Sequence, residues 1–164
     1  MKKAVYLSLG SNLGDREANV RTAIEKLHAL GEVIAVSSFY ETEPVEFLEQ
    51  PWFLNCVVGL ETELMPRLLL SKIMAIEQQM GRRRTHPKGP RTIDIDIVLF
   101  GNSVVDTTAL TIPHPTMHQR RFVLEPLVEV APDVRHPVFK RTVRELLQAL
   151  PKDKAAQVRK EPKA

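Results

Sequence analysis

The stretch Arg91-Thr92-Ile93-Asp94-Ile95-Asp96-Ile97-Val98-Leu99-Phe100 sets Ile93, Ile95 and Ile97 against Asp94 and Asp96 in strict alternation. Successive strand residues point to opposite faces, so these residues read as a strand with one apolar and one acidic face. Just upstream, Pro66 opens a segment in which Leu69, Ile73, Ile76 and Met80 recur at helical spacing, and Gly81 closes it. Further back, residues 53–62 and 32–42 are rich in Val, Phe, Tyr and Thr and read as strands, joined by a long connection holding Pro44 and Pro51. Asp15 is placed to N-cap a helix carrying Val20, Ile24, Leu27 and Leu30 up to Gly31. Before it, Val5, Leu7 and Leu9 form a first strand entering the Gly10-Ser11-Asn12 turn. The order β-α-β-β-α-β predicts an α+β fold with a ferredoxin-like core and its helices on one face of the sheet. Additional C-terminal strands and helices follow: a short hairpin around Gly101-Asn102, and a last helix opened by the Thr142/Glu145 capping-box pattern and ending near Leu150.

At 164 residues, with 43% hydrophobic and 26% charged, the chain has the composition of one ordinary globular domain. Residues 1–150 read as that domain and residues 151–164 as a polar, basic, solvated tail. The tail holds five basic residues (Lys152, Lys154, Arg159, Lys160, Lys163) and two acidic ones (Asp153, Glu161), a net of +3. The whole chain also carries +3, so the domain is neutral and the high pI belongs to the tail. Cys56 is the sole cysteine, which excludes an intrachain disulfide. The apolar run after Met1-Lys2-Lys3 is too short for a signal-peptide core or a membrane span, so a cytoplasmic protein is expected.

Two carboxylates two positions apart on a strand stand roughly 6.5–7 Å apart at Cβ. They repel unless cations lie between them, and two Mg²⁺ ions about 3.5–4 Å apart satisfy that spacing in phosphoryl chemistry. Alone, Asp-x-Asp leaves a solvated strand face equally open. The neighbouring loop decides for phosphate: Arg82, Arg83, Arg84, Lys88 and Arg91 precede the acidic pair with no acidic residue among them. A triphosphate site needs metal ligands and fixed cations together, and the forked donors of Arg grip phosphate bidentately. The loop also lacks any large apolar anchor, and its like charges predict low order until substrate binds. No G-x-x-x-x-G-K-[ST] or G-x-G-x-x-G motif occurs. His114 and His118 lie four apart but lack the Glu of H-E-x-x-H; a single His114 contact to nucleotide is the stronger reading than a zinc site. Mid-strand Cys56 reads as buried rather than nucleophilic.

Six blocks then carry a resemblance: Gly10-Ser11-Asn12-Leu13-Gly14, Ser38 to Pro44, Phe53-Leu54-Asn55, Ile76-Glu77 through Gly81-Arg82, Gly89-Pro90-Arg91-Thr92-Ile93-Asp94-Ile95-Asp96-Ile97, and Ile112-Pro113-His114. In order and register from about residue 4 to 150, the chain resembles the 6-hydroxymethyl-7,8-dihydropterin pyrophosphokinases of folate biosynthesis. The resemblance implies transfer of the β,γ-pyrophosphoryl unit of ATP to the pterin hydroxymethyl oxygen, releasing AMP. It implies that Asp94 and Asp96 hold two Mg²⁺ ions and that Arg82 and Arg91 engage the phosphates during catalysis. ATP contacts are implied for Glu77, Arg82, Arg84, Lys88, Arg91, Ile97, Thr111, His114 and Arg120. Pterin contacts are implied for Gly10, Thr42, Pro44, Val45, Phe53, Asn55 and Phe122, with the ring stacked between Phe53 and Phe122. Phe53 stands where some relatives carry Tyr. The implied partners are the two small substrates, with neither nucleic acid nor membrane, and a monomeric enzyme. A ferredoxin-like RNA binder would need an aromatic R-G-F/Y-type strand, and none is present.

Overall fold

Residues 1–43, 50–81 and 91–151, with the backbone of 158–160, are described by a computed structural model. β1 (Lys3–Ser11) is an inner strand: it pairs antiparallel with β4 (Phe53–Thr62) on one side and with β5 (Asp94–Phe100) on the other. The far edge of β4 carries β2 (Glu32–Val36) and β3 (Tyr40–Thr42) one after the other, both antiparallel to it. The expected single strand over 32–42 is therefore two. Ser37 makes the break, because its hydroxyl accepts the Val57 N–H at 2.9 Å and donates to the Ser38 carbonyl at 2.8 Å.

Two helices cover one face. α1 (Arg16–Leu27) starts at Asp15, whose carboxylate accepts the Ala18 N–H at 3.0 Å, and α2 (Pro66–Gln79) starts on Pro66. Val20, Ala23, Leu27, Leu69 and Ile73 pack there against Val5, Leu7, Leu9 and Ile95. Burying the Val, Leu and Ile side chains among them is worth about 1.5–3 kcal/mol each. The opposite face is also covered, which corrects the expectation of helices on one face only. α3 (Arg121–Val130) and α4 (Val143–Gln148) lay Val123, Leu124, Leu127 and Val143 over Val57 and Leu99. The capping box of α4 is formed, with Glu145 N–H on the Thr142 hydroxyl (3.1 Å) and Thr142 N–H on the Glu145 carboxylate (2.8 Å).

Strand β5 alternates as expected up to Ile97. There the pairing with β1 shifts, Leu7 opposing Ile97 and Tyr6 opposing Leu99, so Val98 is the extra residue of a bulge. Val98 and Leu99 both join the α3/α4 core, while Phe100 returns to the α1/α2 core. The turn at Gly101 forms, with Ser103 N–H on the Phe100 carbonyl at 2.9 Å. The strand beyond it does not fold back on β5 as a hairpin; β6 (Val105–Asp106) pairs with β7 (Thr111–Ile112) instead. Within the tail, β8 (Val158–Lys160) adds antiparallel to β3, where a solvated end was expected. The fold is thus a mixture of helices and an antiparallel sheet. No helix among the described residues is long and apolar enough to cross a membrane.

Candidate active site

Strand register brings the separate sequence blocks side by side. Gly10 of β1 opposes Asp94 on one side and Asn55 on the other, and Asn55 in turn opposes Tyr40. One step along, Ser8 lies between Asp96 and Val57, and Phe53 opposes Thr42. Residues in such rows share a face, so Asp94, Asp96, Gly10, Phe53, Asn55 and Thr42 all occupy the face that α3 covers farther along, over Val57 and Leu99. Both aspartates are half-buried.

Gly10 has to be glycine here. A Cβ would come within 2.6 Å of the Asn55 Nδ2 and 3.5 Å of the Phe53 ring. Asn55 cannot readily yield: its Oδ1 accepts the Thr42 hydroxyl at 2.5 Å, its Nδ2 donates to the Leu9 carbonyl at 3.4 Å, and both side chains are buried. Gly10→Ala should therefore destabilise the fold by about 1–3 kcal/mol. A thermal melt checks this; an unchanged melting temperature contradicts the close approach of Gly10 to Asn55.

Arg91 sits above this row. Its Nη1 pairs with the Asp94 Oδ2 at 3.2 Å, and its guanidinium carbon lies 6.0 Å from the Phe53 ring centre. On the outer side of β5, the buried Glu77 of α2 accepts the Ile95 N–H at 2.9 Å. β7, with the exposed Thr111, also lies beside β5, and the His114 N–H bonds to the carbonyl of bulged Val98 at 3.0 Å. The Arg120 guanidinium covers Phe122 at 5.4 Å, and Phe122 packs against the α3/α4 core. Ile97 is not brought into this constellation by its side chain, which is buried in the α1/α2 core. Pro44, Val45, Arg82, Arg84 and Lys88 lie outside the described residues.

Burial pushes the His114 imidazole down to about 4, the Arg120 charge acts in the same direction, and Asp94 opposes both. The ring is thus neutral near pH 7, with Nδ1 accepting the Thr116 N–H at 3.2 Å. Between pH 4 and 6.5 the unfolded chain binds the proton and the folded chain does not. The stability His114 contributes is therefore complete above pH 6.5 and is lost as pH falls toward 4. Melting temperature should drop through that window and drop less in His114→Asn; parallel curves contradict the burial.

The histidine pair does not assemble as a metal site. His118 instead packs edge-on against Phe139 at 4.8 Å, and Phe139 stacks on His136 at 4.2 Å. Among the described residues no three His, Cys, Asp or Glu side chains group to hold a metal. Asp94 and Asp96 are two hard oxygen donors, which fits Mg²⁺, an ion that keeps waters and takes its other ligands from substrate phosphates. Burial pushes the Cys56 thiol up to about 12, so it is inert.

Residues 6–132 match the family of 7,8-dihydro-6-hydroxymethylpterin-pyrophosphokinases (HPPK). The chain belongs to this family. It is 43% identical over 141 residues to the 2-amino-4-hydroxy-6-hydroxymethyldihydropteridine pyrophosphokinase of Aquifex aeolicus, covering 86% of this chain and 88% of that protein. It is 46% identical over 151 residues to Folic acid synthesis protein fol1 of Schizosaccharomyces pombe, covering 91% of this chain but only 21% of that longer protein. The chain thus spans about a fifth of the fungal relative's length. A solved HPPK-DHPS of Plasmodium falciparum shares the fold with a TM-score of 0.74 at 18% identity, over 90% of this chain and 45% of that one.

One residue that ties these blocks together is not singled out by the sequence. Asn12 is buried, and its Oδ1 accepts the Arg91 N–H at 2.8 Å while its own N–H donates to the Arg91 carbonyl at 3.1 Å. Its Nδ2 donates to the Gln50 Oε1 at 2.7 Å and the Pro51 carbonyl at 3.1 Å. A single side chain therefore ties the turn after β1 to the chain on both sides of the site. The signal lay in Gly10-Ser11-Asn12-Leu13-Gly14, a block that carries the resemblance and otherwise reads as a plain strand-to-helix turn.

Proposed function

We propose that this chain is a magnesium-dependent pyrophosphokinase that transfers the β,γ-pyrophosphoryl unit of ATP to 6-hydroxymethyl-7,8-dihydropterin, in folate biosynthesis. The hydroxymethyl oxygen attacks the β-phosphorus and loses its proton; the bond from that phosphorus to the α,β-bridging oxygen breaks and AMP leaves. Two bound Mg²⁺ ions would neutralise charge on the phosphate oxygens. Asp94 and Asp96 would hold them. Arg91, already fixed beside Asp94, would aim its charge at the same oxygens, and Arg82 would join it. Glu77, Thr111, His114 and Arg120, with Arg84, Lys88 and the backbone of Ile97, would form the nucleotide side. Gly10, Thr42, Asn55, Phe53 and Phe122, with the backbone of Pro44 and Val45, would receive the pterin.

The observation carrying this reading is the row Asp94–Gly10–Asn55. It sets an acidic, hard-cation end directly against an amide flanked by an aromatic ring, while Glu77 and His114 gather on the far side of Asp94. Two substrates approaching from opposite sides would meet at the aspartates. The strand order β5-β1-β4, with β2 and β3 both beyond β4, supports the ferredoxin-like description of the core. We also assign the activity to one domain over 1–150, acting as a cytoplasmic monomer. Incubation with Mg·ATP and the pterin alcohol should give AMP only when both are present. ADP as product, or phosphate release without pterin, would point to a different phosphoryl chemistry and overturn the assignment.

A further inference from the structure

Strand β3 is three residues long, and each residue serves a different neighbour. The Tyr40 hydroxyl donates to Glu129 of α3 at 2.6 Å, and Glu41 pairs with Arg16 of α1 at 2.7 Å. The Thr42 hydroxyl holds the Asn55 amide. So short a strand has only a few ladder bonds to β4 to fix its position, and its other edge would be open. That edge is where the C-terminal segment goes: Lys160 opposes Tyr40, Arg159 opposes Glu41 and Val158 opposes Thr42, antiparallel. β8 also lies beside α3, the helix that anchors Tyr40.

We propose that β8 is a positioning element for the pterin half of the site. By supplying main-chain partners to the outer edge of β3, it holds Thr42 in place, and through Thr42 the Asn55 amide; an unpaired edge would leave both freer to move. The inference rests on reading Thr42 and Asn55 as pterin contacts. It gives the tail a function that its basic composition does not express, because strand addition works through the backbone and not through side-chain charge.

The test uses the full-length chain. Consecutive N–H groups in a strand point to opposite sides, so Arg159→Pro combined with Lys160→Pro removes a ladder donor whichever way β8 is phased. Arg159→Thr combined with Lys160→Val removes both charges but keeps both N–H groups. The proline pair should raise KM for the pterin alcohol roughly fivefold, about the worth of one ladder bond. KM for ATP and kcat should stay within about twofold. The threonine–valine pair should behave as wild type. Equal losses in both pairs would assign the effect to charge, and an unchanged pterin KM in the proline pair would remove it altogether; either overturns the proposal. Amide hydrogen exchange of the wild-type chain needs no turnover and no variant. Protection at 158–160 and 40–42 approaching that of β4 supports the brace even if no AMP is formed, an outcome that would sink the activity assignment alone. Free-chain exchange at 158–160 overturns it.

Discussion

Asp94→Asn and Asp96→Asn should each lower AMP release by at least about 10³-fold while the protein stays folded. The two carboxylates are half-buried on a face that α3 covers only farther along, so neither supports the core. Asp94 pairs with Arg91 across partly exposed side chains, a contact worth about 1 kcal/mol, so a melt should move by only a few degrees. Activity carries the whole effect: one remaining carboxylate cannot position two divalent ions, and uncompensated phosphate charge then opposes attack at the β-phosphorus. Excess Mg²⁺ should restore little. Turnover within tenfold of wild type in either variant would remove the paired-metal assignment.

Arg91→Ala should lower kcat by roughly 10²–10³ and leave KM for ATP changed by less than tenfold. The backbone at this position is pinned by Asn12 through both its N–H and its carbonyl, so truncating the side chain leaves the chain path intact. What is lost is a guanidinium held between Asp94 and the Phe53 ring, preorganised before substrate arrives. Such a charge stabilises the transferring group more than the ground state. A normal kcat with only a raised KM would make Arg91 a ground-state binding residue.

Local rules carried the reading wherever the stabilising partner was close in sequence. Asp15 caps α1, Thr142 and Glu145 cap α4, and the apolar run over 53–62 is β4 in full. They failed where a distant group intervened. The break at Ser37 depends on the Val57 N–H, and the bulge at Val98 on pairing with β1 and on His114. Helix α3 was not seen because Pro126 lies inside it; Pro126 is buried in the helix that carries Leu124 and Leu127 into the core, where packing offsets the missing N–H bond. β8 could not be read at all, since its three residues have no pattern of their own and gain strand geometry only from β3.

The site divides the same way. Alternation alone put Asp94 and Asp96 on one face, and composition alone pointed to phosphate. Nothing local joins Gly10 to Asn55 across 45 residues; the resemblance supplied both, and the register of β1 against β4 brings them together. Asn12 was missed because its importance lies entirely in what it touches.

The most direct measurement follows the label of γ-³²P-ATP in the presence of Mg²⁺ and 6-hydroxymethyl-7,8-dihydropterin. Pyrophosphoryl transfer predicts that the label moves to the pterin product, one equivalent for each AMP formed, and that Asp96→Asn abolishes both together. Label recovered as free phosphate or pyrophosphate, or left in ATP while AMP accumulates, would contradict it.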